Sequence, residues 1–201
     1  VTGNYHEFAF GPARDKDGNY YVGLNLASSG ASIRPEIRGE FRHYGITREQ
    51  FYKNHRAGSG RMYSATPYRG WIMKIAPDGK TTPFASGFRS PNGVNFDAQG
   101  RLWATDNQGD WLGTSKLFHV KEGHFHGHPA SLVWTDSWKK GRNPLKVPPA
   151  EFDAKRPRAA VLFPHGSMAN IPSQPISDST SGKFGPFAGQ LMVGEMNRAR
   201  I

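Results

Sequence analysis

A short unit recurs along this chain: an aromatic-rich run, a turn that closes on glycine, and a second run that starts at once. The first copy is His6–Phe10, Asp15-Lys16-Asp17-Gly18 and Asn19–Leu24. The second is Gly93–Phe96, Asp97-Ala98-Gln99-Gly100 and Arg101–Asp106. The third is Phe184–Phe187, Ala188-Gly189 and Gln190–Gly194. Glycine at the turn supplies the positive φ that a tight hairpin demands. Alternation of apolar and polar residues in the flanking runs fits strands buried on one face. Each copy therefore predicts a β-hairpin.

Further strands lie between the copies. Trp71–Ile75, the turn Pro77-Asp78-Gly79 and Thr81–Phe84 form a hairpin pattern, and Lys116–Val120 and Ala159–Phe163 follow the second copy. Four successive antiparallel strands followed by a new first strand is the order of a propeller blade. The predicted fold class is thus all-β: a partial six-bladed β-propeller, with one short helix in an insertion. At about 40–50 residues per blade, six blades need ~240–300 residues, and the strands here make about two and a half blades. The expectation is an incomplete propeller domain over residues 1–201, taken from a longer protein whose remaining blades are its first partners. Insertions at 27–68 and 131–158 lengthen the period. The short helix is expected at Arg48–His55, with Thr47 and Gln50 as a capping box.

Composition narrows the functions. The 24 Gly and 15 Pro suit a turn-rich β fold. With no Cys, disulfide staples, thiolate catalysis and a c-type haem attachment motif are excluded within these residues. The formal net charge is +10, but Lys and Arg are dispersed without a polybasic run or a nucleic-acid-binding motif, so no nucleic-acid partner is expected. No apolar run approaches the ~18 residues of a membrane helix, and no transmembrane segment is expected. His124, His126 and His128 alternate, and on an extended strand they would share one face as metal ligands. Gly127 and Pro129 point instead to a loop, with His128 packed at one end of the fold.

Most of the chemical information lies between Phe84 and Pro129. There Gly87-Phe88-Arg89-Ser90-Pro91-Asn92-Gly93 precedes the second hairpin, and Asp106-Asn107-Gln108-Gly109-Asp110-Trp111 follows it. A Gly127-His128-Pro129 segment closes the stretch, and Tyr68-Arg69-Gly70-Trp71 lies upstream. This succession resembles the soluble PQQ-dependent glucose/sorbosone dehydrogenase family. In that family a G-x-R-N-P-x-G turn precedes a D-x-x-G-x-L-W hairpin and a Gln-Gly loop. The wording is similar also to large bacterial propeller proteins that carry a separate c-type haem domain.

The resemblance implies a PQQ- and Ca²⁺-dependent oxidoreductase acting on a sugar or alcohol. Electrons would pass to a c-type haem domain or an acidic cytochrome, and the location would be periplasmic or secreted. Arg89 would inherit the arginine that hydrogen-bonds the quinone oxygens, where a fixed cation stabilises developing negative charge. Ser90, which stands where the family has Asn, would join Asn92 and Gln108 in holding the cofactor. Ca²⁺ would sit at Gly109 and Asp110, with Asp106 and Asn107 adjacent, since hard oxygen donors suit that ion. His6, which precedes Phe10-Gly11-Pro12, would be the catalytic base. Two other functions compete. A gluconolactonase-like propeller would use Asn92 and Asp106 as ligands of one divalent metal that activates water. A non-catalytic propeller would only bind carbohydrate or protein.

Overall fold

The structure, a computed structural model, describes residues 6–27, 39–43, 47, 49, 62–110, 112–138 and 143–201. Among these, ten strands form three antiparallel sheets, with few helical turns. Strands β1 (Ala9–Arg14), β2 (Tyr20–Leu24), β3 (Trp71–Ile75) and β4 (Thr81–Ser86) make a four-stranded sheet in chain order. Strands β5 (Pro91–Phe96), β6 (Leu102–Asp106), β7 (Ser115–Val120) and β8 (Val161–Phe163) repeat that order in a second sheet. A third sheet pairs β9 (Pro172–Ser177) with β10 (Leu191–Glu195). The chain is mostly β, as the recurring unit requires.

One side chain builds the first connection of every sheet. The Asp15 carboxylate accepts from the backbone amides of Asp17 and Asn19, then from Asn19 Nδ2 and the Tyr21 hydroxyl. Asp97 repeats this with the amides of Gln99 and Arg101, Arg101 Nε and Trp103 Nε1. Asp178 accepts from the amides of Thr180 and Gly182. Asp is selected because its short carboxylate reaches the amides two and four residues on. Burial pushes the Asp97 carboxyl up, but hydrogen bonds from Trp103 and Arg101 hold it below the usual carboxylate range.

The first strands of successive sheets pack in series, β1 on β5 and β5 on β9. Ala13, Tyr21, Ile72, Phe88, Val94 and Phe118 form the core between the first two sheets. Leu117, Phe163 and Ala169, with Leu191 and Val193 packed against them, link the second sheet to the third. Close approach is possible because Gly93 has no side chain: a Cβ there would overlap the backbone of Gln174 in β9. No helix among the described residues is long and apolar enough to cross a membrane.

Several elements differ from the sequence expectation. The first strand runs Ala9–Arg14 rather than His6–Phe10, because β1 is an edge strand and a bulge between Phe10 and Ala13 absorbs Gly11-Pro12. Phe184–Phe187 is turn, not strand. The partner of β10 is β9, whose Pro172 and Pro175 are tolerated because β9 bonds to β10 alone. The predicted helix at Arg48–His55 lies outside the described residues, apart from Glu49. Helical structure is found instead in the second insertion, as 3₁₀ turns at Pro129–Trp134 and Pro144–Lys146 and a helix α1 at Pro149–Asp153.

Candidate functional site

At the end of the sheets opposite the Asp-built hairpins, three connections converge. The β4–β5 turn carries Arg89 and Ser90, the β6–β7 loop carries Asn107 to Thr114, and a segment after β7 runs parallel to β4 up to His128. Asp106, the last residue of β6, clamps the turn. Its Oδ1 accepts the Ser90 amide at 2.7 Å and the Arg89 amide at 3.1 Å, and Oδ2 accepts the Arg89 amide at 3.2 Å. The Asn107 amide returns a bond to the Ser90 carbonyl. Turn and loop are therefore one rigid unit.

The Arg89 side chain folds back over that unit. Its Nη1 donates to the Asn107 carbonyl at 3.2 Å and to the Ser90 hydroxyl at 3.3 Å. Its Nε is buried with no hydrogen-bond partner. A buried guanidinium nitrogen without an acceptor is costly, and such an atom in a cavity wall is a place for a ligand oxygen.

Lys116 supplies a second buried cation. It lies on the same face of β7 as the core residues Phe118 and Val120. Its Nζ donates to the Gln108 carbonyl at 2.6 Å and to the Leu112 carbonyl at 3.4 Å, with Asp106 Oδ2 at 3.9 Å. Gln108 adopts a left-handed φ of +53°, uncommon for a residue with a side chain. Burial lowers the Lys116 ammonium from its ordinary range, and Arg89 and Arg156 act in the same direction against the attraction of Asp106.

His128 is buried and its Nε2 meets Asp110 Oδ2 at 3.0 Å, while its Nδ1 accepts from the Ala130 amide. An Nδ1 that accepts fixes the neutral tautomer with the proton on Nε2. Burial lowers His128 below the ordinary histidine value despite the hydrogen bond to Asp110. Asp110 is pushed up by burial, yet the hydrogen bond from His128, with that from the Met62 amide, holds it low. The pair is a neutral imidazole donating to a carboxylate.

Arg89, Asp106, Gly109, Lys116, His128 and Arg156 line one cavity of about 60 Å³, walled on its far side by Pro149 and Phe152 of α1. Three cations there face two carboxylates, and one of these, Asp153, is drawn off by Arg156 at 2.6 Å. The space admits a carboxylate-sized group, so only one edge of a larger ligand would enter it, since pockets that enclose whole ligands are usually about 300 Å³ or more.

His6 stands beside this site. Its Nδ1 meets the Leu26 carbonyl at 3.1 Å, and the Leu26 amide in turn donates to the Arg89 carbonyl. Since a carbonyl only accepts, Nδ1 carries the proton and Nε2 is the basic nitrogen of the neutral ring. Burial first, and the Arg89 charge with it, lowers His6 below the ordinary value against the pull of its backbone hydrogen bonds. Asn92 points elsewhere: its Nδ2 donates to the Pro172 carbonyl and so ties β5 to β9. Trp111 lies outside the described residues. The alternating histidines do not share a face. His126 stacks on Phe88 at a centroid distance of 4.5 Å, while His128 turns to Asp110.

The sequence motifs pointed to Arg89, Ser90 and the 106–110 loop, and the structure brings these together. Lys116 and Arg156 were not singled out. The signal for Lys116 was its register, since period two puts it on the face of Phe118 and Val120. For Arg156 there was none, because α1 brings it to the cavity from a Lys- and Pro-rich insertion.

The fit to the two implied groups differs. An acceptor oxygen of a quinone suits the orphaned Arg89 Nε. A divalent metal does not suit the loop. Asp106 is taken by backbone amides, Asp110 by His128 and Met62, and the Gln108 carbonyl by an ammonium. Among the described residues no group of three or more His, Asp or Glu side chains could hold a metal ion.

A scan against protein-family models finds none that matches the chain, and a search of curated proteins finds no match either.

Proposed function

We propose that this chain is part of a β-propeller oxidoreductase of the quinoprotein sugar dehydrogenase type, with Arg89 holding an acceptor oxygen of a PQQ-like cofactor. The propeller reading is supported by two sheets of identical strand order and a third begun in the same way, their first strands packed in series. The observation that carries the functional reading is the Arg89 Nε, buried, unpartnered and fixed beside a cation-lined cavity.

A quinone cofactor held there would supply the hydride acceptor for oxidation of the substrate's alcohol carbon. The chain's own groups do the rest. Arg89, clamped by Asp106 and Ser90, places a fixed positive charge where oxygen gains electron density, with no reorganisation needed at that moment. His6 in its neutral form would be the base for the proton released from the substrate hydroxyl. Burial, with the Arg89 charge beside it, favours that neutral form. Sugars or alcohols are the proposed substrates, a c-type haem domain or acidic cytochrome the acceptor, and the periplasm or the exterior the location.

The lactonase reading needs Asn92 and Asp106 on one metal, whereas Asn92 bonds Pro172 and Asp106 accepts two backbone amides. The quinone reading is tested by titrating the protein with PQQ, following tryptophan quenching, and then measuring dye reduction with aldoses. Removal of the guanidinium in Arg89→Met should weaken PQQ binding by about 10- to 100-fold, as expected for losing a charged hydrogen bond. Equal affinity in the variant and the wild type would refute the assignment.

A further inference from the structure

We propose that the Lys116 ammonium is a built-in cation that occupies the position a metal would take at the 106–112 loop, so that this site works without a divalent ion. The loop is shaped for a cation. Gln108 is held in the left-handed region with its carbonyl on Nζ at 2.6 Å, and the Leu112 carbonyl faces the same nitrogen at 3.4 Å. Asp106 contributes negative charge at 3.9 Å. Gly109 completes the cradle, for a Cβ there would lie 3.0 Å from Nζ. An ammonium has three donors and reaches its acceptors at ordinary hydrogen-bond distance. Ca²⁺ would need six to eight oxygens drawn in to about 2.3–2.6 Å.

Other oxygens of the loop are committed to hydrogen-bond donors. Asn107 presents its carbonyl to Arg89 and its side-chain oxygen to the Ser115 hydroxyl. Asp110 serves His128 and the Met62 amide. A dication brought to the carbonyls of Gly109 or Asp110 would be opposed by the like charges of Lys116 and Arg89, which line the same cavity. Lys116 is itself buried, at 4 % exposure, between this loop and the core. It is a positioning residue: it holds the loop against which Asp106 and Arg89 are aligned, and it keeps the cavity positive without an exchangeable ion.

The test uses Ca²⁺ alone and no quinone, so its result is separate from the fate of the oxidoreductase reading. Thermal unfolding of the wild-type protein in EDTA and in excess Ca²⁺ should give the same Tm, and calorimetric titration with Ca²⁺ should show no saturable heat. Lys116→Met empties the cradle while keeping most of the stem. It should lower the Tm in EDTA and make it Ca²⁺-dependent, with a rise of about 5 °C or more at saturating ion. Lys116→Arg, which keeps a cation, should restore Ca²⁺ indifference. Stoichiometric Ca²⁺ binding that raises the wild-type Tm overturns the proposal, and this measurement holds even if the Met variant fails to fold. A folded Met variant that ignores Ca²⁺ overturns it as well.

Discussion

His126 shows what the interior asks of a single residue. Its ring is stacked on Phe88, meets Phe118 edge-on at 4.8 Å, and has one nitrogen at 3.2 Å from the Ser86 carbonyl. Its Nε2 is buried without a partner. Burial above all lowers its pKa from 6.5 to about 4, against the smaller lift from its backbone contacts. In the unfolded chain the ring takes its proton near 6.5, so between these two values the unfolded state binds more protons than the folded one. Stability is therefore fully present above pH 6.5 and drains away as the pH falls toward 4, by roughly 3 kcal/mol from this residue. Urea unfolding at pH 7.5 and pH 4.5 should show that loss, and His126→Gln should flatten it. Some slope will remain, because burial lowers His128 too. A wild-type protein equally stable at both pH values would contradict the burial of this imidazole. The alternation of His124, His126 and His128 was visible in the sequence, but an imidazole's environment is not. Arg89 was legible because a glycine-flanked turn carried it, whereas Lys116 looked like an ordinary strand lysine until the register of β7 set it beside Phe118.

Among the elements, the hairpins were legible for a physical reason. Asp at the start and Gly at the close are demanded by the turn itself, and Asp15 and Asp97 meet that demand with matching bonds. The third hairpin was misplaced because its Asp178 lies in a Ser- and Thr-rich stretch with the Gly four residues on, and eight further residues precede β10. Prolines at 172 and 175 then hid β9, since edge status is a property of the sheet and not of the strand's own sequence. What sets the spacing of the first strands is Gly93. Gly93→Ala would force β5 away from Gln174 of β9, and steric overlap with backbone cannot be relieved by a rotamer change. The expected loss is about 3 kcal/mol. Gly113→Ala is the control, for a Cβ there meets nothing within 4 Å, and a change inside about 0.5 kcal/mol is expected. Chemical denaturation of the two variants checks the contrast, and equal stabilities would mean that β5 and β9 are not in contact.

For the whole molecule, the order of the sheets could be read from the period of the recurring unit, but the way they present their edges could not. Two sheets carry four strands and the third carries two, so among the described residues the outer edge of β10 meets no further strand, only a bridge from Glu195 to Arg200 at its end. Exposed apolar side chains lie on this sheet and the segments next to its strands: Ile176 of β9 is 47 % exposed, Phe184 62 % and Met196 68 %. A partly unpaired edge on a sheet with exposed apolar groups is a template for pairing with another chain, and natural sheets usually blunt it with charge. In the proposed ring, the third strand of this sheet would cover the edge, as β3 covers β2 and β7 covers β6. The 201-residue chain studied alone should therefore associate reversibly. Sedimentation velocity over a range of concentrations should show a weight-average coefficient that climbs with loading. Placing charge on the exposed apolar surface of this sheet, with Ile176→Lys and Met196→Lys together, should return the chain to a single slow boundary while leaving its circular dichroism unchanged. The net charge of +10 opposes self-association at low ionic strength, so raising the salt should strengthen it until the apolar contacts dominate. A wild-type chain that stays monomeric at every concentration and salt level would mean that β10 is not an open edge.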